Sequence, residues 1–593
     1  MPEPSYADLV NQRIEQESEF LPQPPAADQT PEELTTAFVI ECLANNERGD
    51  GMLYAQLHRD QVVYVKKSQE WLAFKGHYWE QDIYDIHLRK VKAVAEMYLN
   101  EATGLKTPIQ RLGDQLRSVE KEIKTSEHMI SAAGKSLEKA IKANDEAGIT
   151  TATQDKTRGE QVLAEFEAQK AHLTVELAGL TGTRKKLISR VDKLNGVRGA
   201  DNCVKWAHII DNPLAISGDE LDQHPLLLPC SNGVVDLETG LLRPGKPSDW
   251  LSKGTPIEYL DFNTPAPEWE AFLHSMFDDE IVEFLQELMG YCISGLTLEQ
   301  FIAVHVGEGR NGKGVLFEMI EQAMGPLYWT VQAELLLDNK PSRSSSGASP
   351  DILALRGRRL AAASETDQGR RISAARVKEL TGSDTLNARL LYDKADTNFR
   401  PTHKLHLRTN SVPVGLTKDF ALRERLIYLK YKYMFVDDPE QKAKEYPNNA
   451  EFYRLKDRGL KERLQKERPG ILAWLVRGYA KWQKRGKLII PESCVRDAEK
   501  LQQDEDLVGQ FIAACCRTEP PAHRENFKPI YDTFAWWFNE TQDARASNCP
   551  SKKWFGKELD KRGFKRETAG GDAKVFGLGL IEHRQLPSGW SQE

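Results

Sequence analysis

Apolar positions follow two different rhythms along this chain. Ile109, Leu112, Leu116, Val119 and Ile123 keep the three-and-four spacing of a heptad, which resumes at Ile130, Leu137 and Ile141. The polar stretch Asn144-Asp145-Glu146-Ala147-Gly148 interrupts it, and Phe166, Leu173, Leu180, Leu187 and Leu194 then recur every seven residues. The pattern predicts two long helices joined by a short turn, an antiparallel helical hairpin inserted over about 106–196. A solvated arm without chemistry accounts for it; a role in subunit contacts or partner docking is the functional alternative.

Elsewhere the apolar runs are shorter. Short aromatic-rich strands are expected around Tyr64, Trp71, Phe74, Tyr78 and Trp79, and a strand with a tight turn over Ser231 to Gly240. Phe301 to Val306 and Arg359 to Ser364 read as buried strands, and Lys404 to Thr409 alternates like one. Val315 to Ile320 has the spacing of a helix start. These elements predict a multidomain α/β protein. A flexible leader over 1–33, marked by Pro22, Pro24, Pro25 and Pro31, precedes a mixed N-terminal domain at 34–267 that carries the hairpin. A core at 268–435, a helical extension at 436–495 and a separate small domain at 496–593 follow.

At 593 residues the chain is too long for one core. It is 28% charged and 40% hydrophobic, as ordinary soluble proteins are. With a formal net charge of −8, nucleic-acid contact must come from local basic surfaces. The eight cysteines show no CxxC spacing, which argues against a zinc module and for a reducing compartment. No apolar run approaches the roughly 18 residues of a bilayer span, and the N-terminus lacks a signal-peptide core. The expected location is cytoplasmic, with no membrane partner.

The candidate chemistry centres on Gly307-Glu308-Gly309-Arg310-Asn311-Gly312-Lys313-Gly314, followed by Val315. Between a predicted strand and a predicted helix, this meets the phosphate-binding pattern G-x-x-x-x-G-K. Glycines let backbone N–H groups turn toward phosphate oxygens, the helix N-terminus adds its dipole, and Lys313 reaches the β- and γ-phosphates. ATP and Mg²⁺ are the expected cofactors. The Ser/Thr that usually follows the lysine is Gly314, so the usual hydroxyl ligand for Mg²⁺ is missing.

Three further positions suit the same chemistry. The strand ending at Glu365 supplies an acid to hold Mg²⁺ and polarise the attacking water, with Asp367 as a second metal candidate. Asn410, at the end of another strand, can orient that water. Arg425, or alternatively Arg423, suits an arginine that reaches a neighbouring subunit's nucleotide; a solvated basic pair around Glu424 is the structural alternative.

Candidate DNA contacts lie nearby and at the C-terminus. A hairpin is expected at 393–400, where Lys394 and Arg400 flank Phe399 as a single-strand-binding loop would need, with Lys378 and Arg389 upstream. Phe511, Ile512, Tyr531, Phe534, Trp536, Trp537 and Phe538 supply a C-terminal core. Behind them runs a basic stripe: Lys552, Lys553, Lys557, Lys561, Arg562, Lys565 and Arg566. With a Gly570-Gly571 turn between strands, this suits a winged helix that touches DNA. A plain surface role is the alternative for each of these cations.

Together these motifs resemble the superfamily 3 helicases, in the phage, plasmid and poxvirus primase-helicase branch. The resemblance rests on GEGRNGKG at 307–314, RLAAASE at 359–365, KELTGSDTLNARLLY at 378–392, KLHLRTNSVP at 404–413 and DFALRERL at 419–426. Upstream, Asn46 to Gly51, the Trp71/Phe74/Gly76/Trp79 pattern, SNGVVDLETG and Leu285 to Tyr291 are similar to the domain preceding that family's ATPase. The resemblance implies an AAA+-like core in a homo-hexameric ring, with Asn410 as sensor 1 and a winged-helix tail. It also implies 3′-to-5′ translocation on single-stranded DNA at a fork or origin. Many relatives carry a primase domain; its motifs are not found here, so a helicase using a primase in trans is expected, in a phage, prophage or plasmid setting. A nucleotide-switched scaffold or defence ATPase with weak hydrolysis is the alternative that Gly314 keeps open.

Overall fold

A computed structural model describes residues 34–338, 349–364, 371–389, 397–413, 415–518, 524–541, 549–569 and 572–581. The expected leader, Glu365, Asp367, Lys394 and the Gly570-Gly571 turn lie outside the described residues. The chain divides into two compact units.

One unit comprises residues 34–223 and 244–252. Its sheet takes Trp79–Gln81, Glu70–Phe74, Val62–Val65 and Ala215–Ile216 in that order, antiparallel except for the last, parallel pair. Alternation splits the strands between two cores. Val62 and Ala73 face Tyr54, Val94, Tyr98 and Cys203, whereas Val63, Val65 and Leu72 face Trp79 and Ile216.

The hairpin consists of helices Lys106–Ala143 and Glu146–Leu194. Asn144 takes the left-handed conformation (φ 53°), and Asp145 caps the second helix by accepting from the Gly148 N–H. Leu112, Val119, Ile123 and Leu173 close the seam near the base. Toward the tip the seam opens: Met129 is 64% and Ile141 55% exposed, and Ala132, Ala133, Ala152 and Gly159 line a groove of about 1310 Å³. Side chains this small leave the space between the helices unfilled. At the other end, Leu187 and Leu194 are core residues of the globular part, where Arg190 forms a buried ion pair with Asp50 at 2.6 Å.

The other unit comprises 224–243 and residues from 253 onward. Residues 224–243 and 253–267, expected with the N-terminal domain, pack here instead. Leu228, Val235 and Tyr259 share a core with Trp269 and Leu285, and Arg359 donates to the Leu227 carbonyl.

The centre of this unit is a parallel sheet of β1 (Ile302–Val306), β2 (Tyr328–Val331), β3 (Leu360–Ser364), β4 (Lys404–Thr409) and β5 (Leu426–Lys430). The order is β5-β1-β4-β3-β2. Both faces are covered, as a parallel sheet requires. Ala303, Leu360, Ala362, Ile427 and Leu429 face one core; Ile302, Val304, Ala361, Leu405 and Leu407 face the other.

The first core also takes helices Asp279–Cys292, Lys313–Met324 and Arg468–Arg485. The expected helical extension is therefore built into the core. Gly290 and Gly478 permit its close approach, since a Cβ on Gly290 would lie 2.2 Å from the Tyr479 nitrogen. The C-terminal module packs Phe511, Phe534 and Phe555 between helices Leu507–Cys515, Phe527–Thr541 and Lys552–Lys561. Arg524–Asn526, Asp572–Phe576 and Arg566–Ala569 form its antiparallel sheet.

Candidate active site

The glycine-rich loop leaves the C-terminal end of β1 and runs into helix Lys313–Met324. Two residues make the turn in left-handed conformations, Arg310 (φ 64°) and Gly312 (φ 86°). Gly312 precedes the first helical residue, so the helix N-terminus opens onto the loop. Gly314 and Val315 occupy the first turn. Among the described residues a Cβ on Gly314 would meet nothing within 4 Å, so no clash with them accounts for the missing hydroxyl.

Lys313 is only 8% exposed. Its ammonium donates to the Gly307 carbonyl, lies 3.5 Å from Asn410 Oδ1 and stands over the Tyr431 ring. Asn311 is also buried; its Oδ1 accepts from the Lys313 N–H, while its Nδ2 has no hydrogen-bond partner among the described residues. The sheet order brings Lys313 and Asn410 together. β1 and β4 are neighbours, with Val306 opposite Thr409, so the residues that follow each strand emerge side by side. β3 lies on the far side of β4, with Ser364 opposite Arg408.

A cavity of about 490 Å³ adjoins the loop. Phe272, Val315, Phe435, Leu455 and Leu460 give it apolar walls, and Arg310 and Gly312 form its edge. Arg463 binds Glu268 and Asp457 on its rim. A loop of backbone donors, a buried ammonium, an unpaired amide donor and an apolar recess together fit a nucleoside triphosphate. Mg²⁺ fares differently: among the described residues no group of three His, Cys, Asp or Glu side chains could hold a metal ion.

Beneath the loop lies a polar chain that sequence reasoning missed. Tyr431 Oη pairs with His305 Nδ1 at 2.9 Å, His305 Nε2 with His406 Nδ1 at 3.1 Å, and His406 Nε2 with Cys292 Sγ at 3.3 Å. Both histidines are fully buried. Burial, His406, Arg408 and Lys313 hold His305 well below its ordinary pKa, and burial, Lys404 and Arg408 push His406 down to about 3. The signal was legible as a histidine in each of the apolar strands VHV and LHL.

Arg425 lies elsewhere. It precedes β5, its carbonyl accepts from the Ile302 N–H, and its guanidinium donates to Ala421 O and Gln300 Oε1. It therefore sits at the opposite end of the sheet from the loop, roughly 15 Å away at the usual rise per strand residue. Arg423, in the short helix Phe420–Arg423, stacks on the Phe420 ring.

The other expected contacts are dispersed. Leu386–Ala388 and Thr397–Phe399 pair antiparallel as a hairpin. Arg389 is half-buried beside its base and Arg400 is exposed. Lys378 forms an ion pair with Asp419 at 3.3 Å. Lys552, Lys553 and Lys557 are exposed on one helix, whereas Lys561, Arg562 and Arg566 pair with Glu558, Asp506 and Asp560.

Residues 51–278 match the family model described as D5 N terminal like. The chain is 27% identical over 344 residues to "Putative helicase L207/L206" of Acanthamoeba polyphaga mimivirus, covering 56% of this chain and 35% of that protein. It is 25% identical over 372 residues to "Putative helicase 022R" of Frog virus 3 (isolate Goorha), covering 51% and 38%. The chain thus spans little more than a third of the length of these relatives. An apo structure of the NrS-1 C-terminal region aligns over 54% of this chain and 78% of that chain, at 9% identity and a TM-score of 0.34. Among the described residues no helix is long and apolar enough to cross a membrane.

Proposed function

We propose that this chain is an ATP-hydrolysing DNA helicase of the primase-helicase type, with an AAA+-like core that works as a homo-hexameric ring. The observation that carries the reading is the meeting of Lys313 and Asn410 over a glycine-rich helix N-terminus, with Arg425 at the far end of the same sheet. In the nucleotide-bound state the loop N–H groups hold the β- and γ-phosphates, and Lys313 exchanges the Gly307 carbonyl for a phosphate oxygen. Asn410 orients the attacking water, which Glu365 polarises. Glu365 and Asp367 are the proposed Mg²⁺ ligands; bound there, the ion would offset charge on the phosphates. The apolar recess beside the loop takes the nucleobase.

The position of Arg425 favours action in trans. An arginine some 15 Å from its own loop cannot serve that loop's nucleotide, but in a ring it faces the next subunit's, where it stabilises transition-state charge. Single-stranded DNA is the proposed track, followed 3′-to-5′ and contacted by Lys378, Arg389, Lys394 and Arg400. The C-terminal module acts as a winged helix, with Lys552, Lys553 and Lys557 on the DNA backbone.

Subunit mixing tests this directly. Lys313→Ala and Arg425→Ala subunits, each inactive alone, should recover ATP turnover when combined, because mixed interfaces pair an intact loop with an intact arginine. No recovery at any ratio would remove the arginine from this role. Gly314 favours a second reading, a slow nucleotide switch; turnover indifferent to single-stranded DNA would select it.

A further inference from the structure

The loop that follows β4 is held from outside the sheet. Helix Glu492–Glu505 packs Ala498 and Leu501 against the core formed by Val304, Leu405 and Leu416. Its last residue, Glu505, accepts three hydrogen bonds from the loop: from the Gly415 N–H at 2.8 Å, the Thr417 N–H at 3.1 Å and Thr417 Oγ1 at 2.6 Å. Leu416 and Thr417 are buried beneath it. Asn410, which meets Lys313, stands only five residues before Gly415 in the chain.

The next residue faces the other way. Asp506 accepts from the Gly509 N–H, capping the first helix of the C-terminal module, and pairs with Arg562 at the end of the helix that displays Lys552, Lys553 and Lys557. Two adjacent carboxylates therefore grip two bodies: Glu505 the sensor loop, Asp506 the basic module. A water-accessible cavity of about 560 Å³ borders the joint. Five cationic and five anionic side chains line it, Arg562, Glu505 and Asp506 among them. The opposed charges balance, so the cavity is not an anion site.

We infer that Glu505 is a positioning residue: it sets the loop that carries Asn410 and, through Asp506, makes that position depend on what the C-terminal module holds. This rests on the functional reading above. Engagement of DNA by the basic helix pulls on Arg562 and Asp506, displaces Glu505, and so moves Asn410 relative to Lys313. The linkage runs both ways, so nucleotide binding must also change the module's affinity for DNA.

The test combines hydrogen exchange with steady-state kinetics on the full chain, using ATP and a single-stranded oligonucleotide. Glu505→Ala should raise exchange at the Gly415 and Thr417 amides at least tenfold. It should cut the factor by which DNA stimulates ATP turnover at least fivefold, with KM for ATP changed less than twofold. Thr417→Ala, which removes a single bond, should shift both readouts the same way by less. Faster exchange with wild-type stimulation would overturn the inference by reducing Glu505 to a structural cap; unaltered exchange would overturn it as well. If Glu505→Ala fails to fold, Thr417→Ala decides, and wild-type stimulation in that variant is the contrary result. Wild-type protein that DNA does not stimulate would sink the functional reading and the inference with it, and that failure is read before any variant is made.

Discussion

Among the described residues, three buried histidines of the loop-bearing unit make its stability depend on acid. His305 and His406 lie in the chain beneath the loop, and His403 is buried just before β4. Burial, reinforced by nearby cations, lowers the pKa of each: His403 to about 4, His406 to about 3, and His305 well below 6.5. The unfolded chain binds protons at these positions below about pH 6.5 while the folded one refuses them. Stability is thus full above 6.5 and is lost as pH falls toward the folded values. One pKa unit corresponds to about 1.4 kcal/mol, so at pH 5 His403 and His406 each cost about 2 kcal/mol, and His305 acts in the same direction. A cost of that size is a large share of the net stability of a typical domain, about 5–15 kcal/mol. Thermal melts followed by circular dichroism from pH 7.5 to 4.5 should show the midpoint falling steeply below pH 6.5. Replacing His403 and His406 by Gln should flatten that fall even if it lowers the midpoint at pH 7.5. A midpoint independent of pH down to 5, or an unaltered slope in the double variant, would refute the assignment.

Two other consequences are testable on single variants. Gly314→Ser should fold normally, since a side chain there meets no described residue. Leaving glycine inside a helix should add about 0.5 kcal/mol. The restored hydroxyl should lower the Mg²⁺ concentration that half-saturates ATP turnover severalfold; an unchanged Mg²⁺ titration would show that position 314 lies outside the metal's reach. Arg190→Met should destabilise the N-terminal unit by about 3 kcal/mol, because Asp50 is left buried without its partner. A denaturation midpoint within error of wild type would contradict this, and adding Asp50→Asn should recover part of the loss.

Local signals made much of this molecule legible. Heptads located the hairpin because a seam between two helices repeats in the sequence. The loop from Gly307 to Lys313 was legible because left-handed turns and a helix start demand particular residues. What escaped depends on distant parts of the chain. Residues 224–243 gave no sign that they pack with the loop-bearing unit, since their partners Trp269 and Leu285 are remote in sequence. Leu187 and Leu194 kept the heptad rhythm yet serve a globular core, because a buried position looks the same whichever body buries it. The sheet order, which sets Asn410 beside Lys313 and sends Arg425 to the far end, is a long-range property that no window reveals. His305 and His406 pair only because β1 and β4 are neighbours.

In the proposed function the loop at 307–314 hydrolyses ATP and DNA drives the reaction. The most direct measurement is ATP turnover by the full chain with and without single-stranded DNA, for wild type and Lys313→Ala side by side. The expected result is turnover that DNA raises at least severalfold and that Lys313→Ala abolishes in both conditions. Turnover that survives Lys313→Ala, or that DNA leaves unchanged, would contradict it.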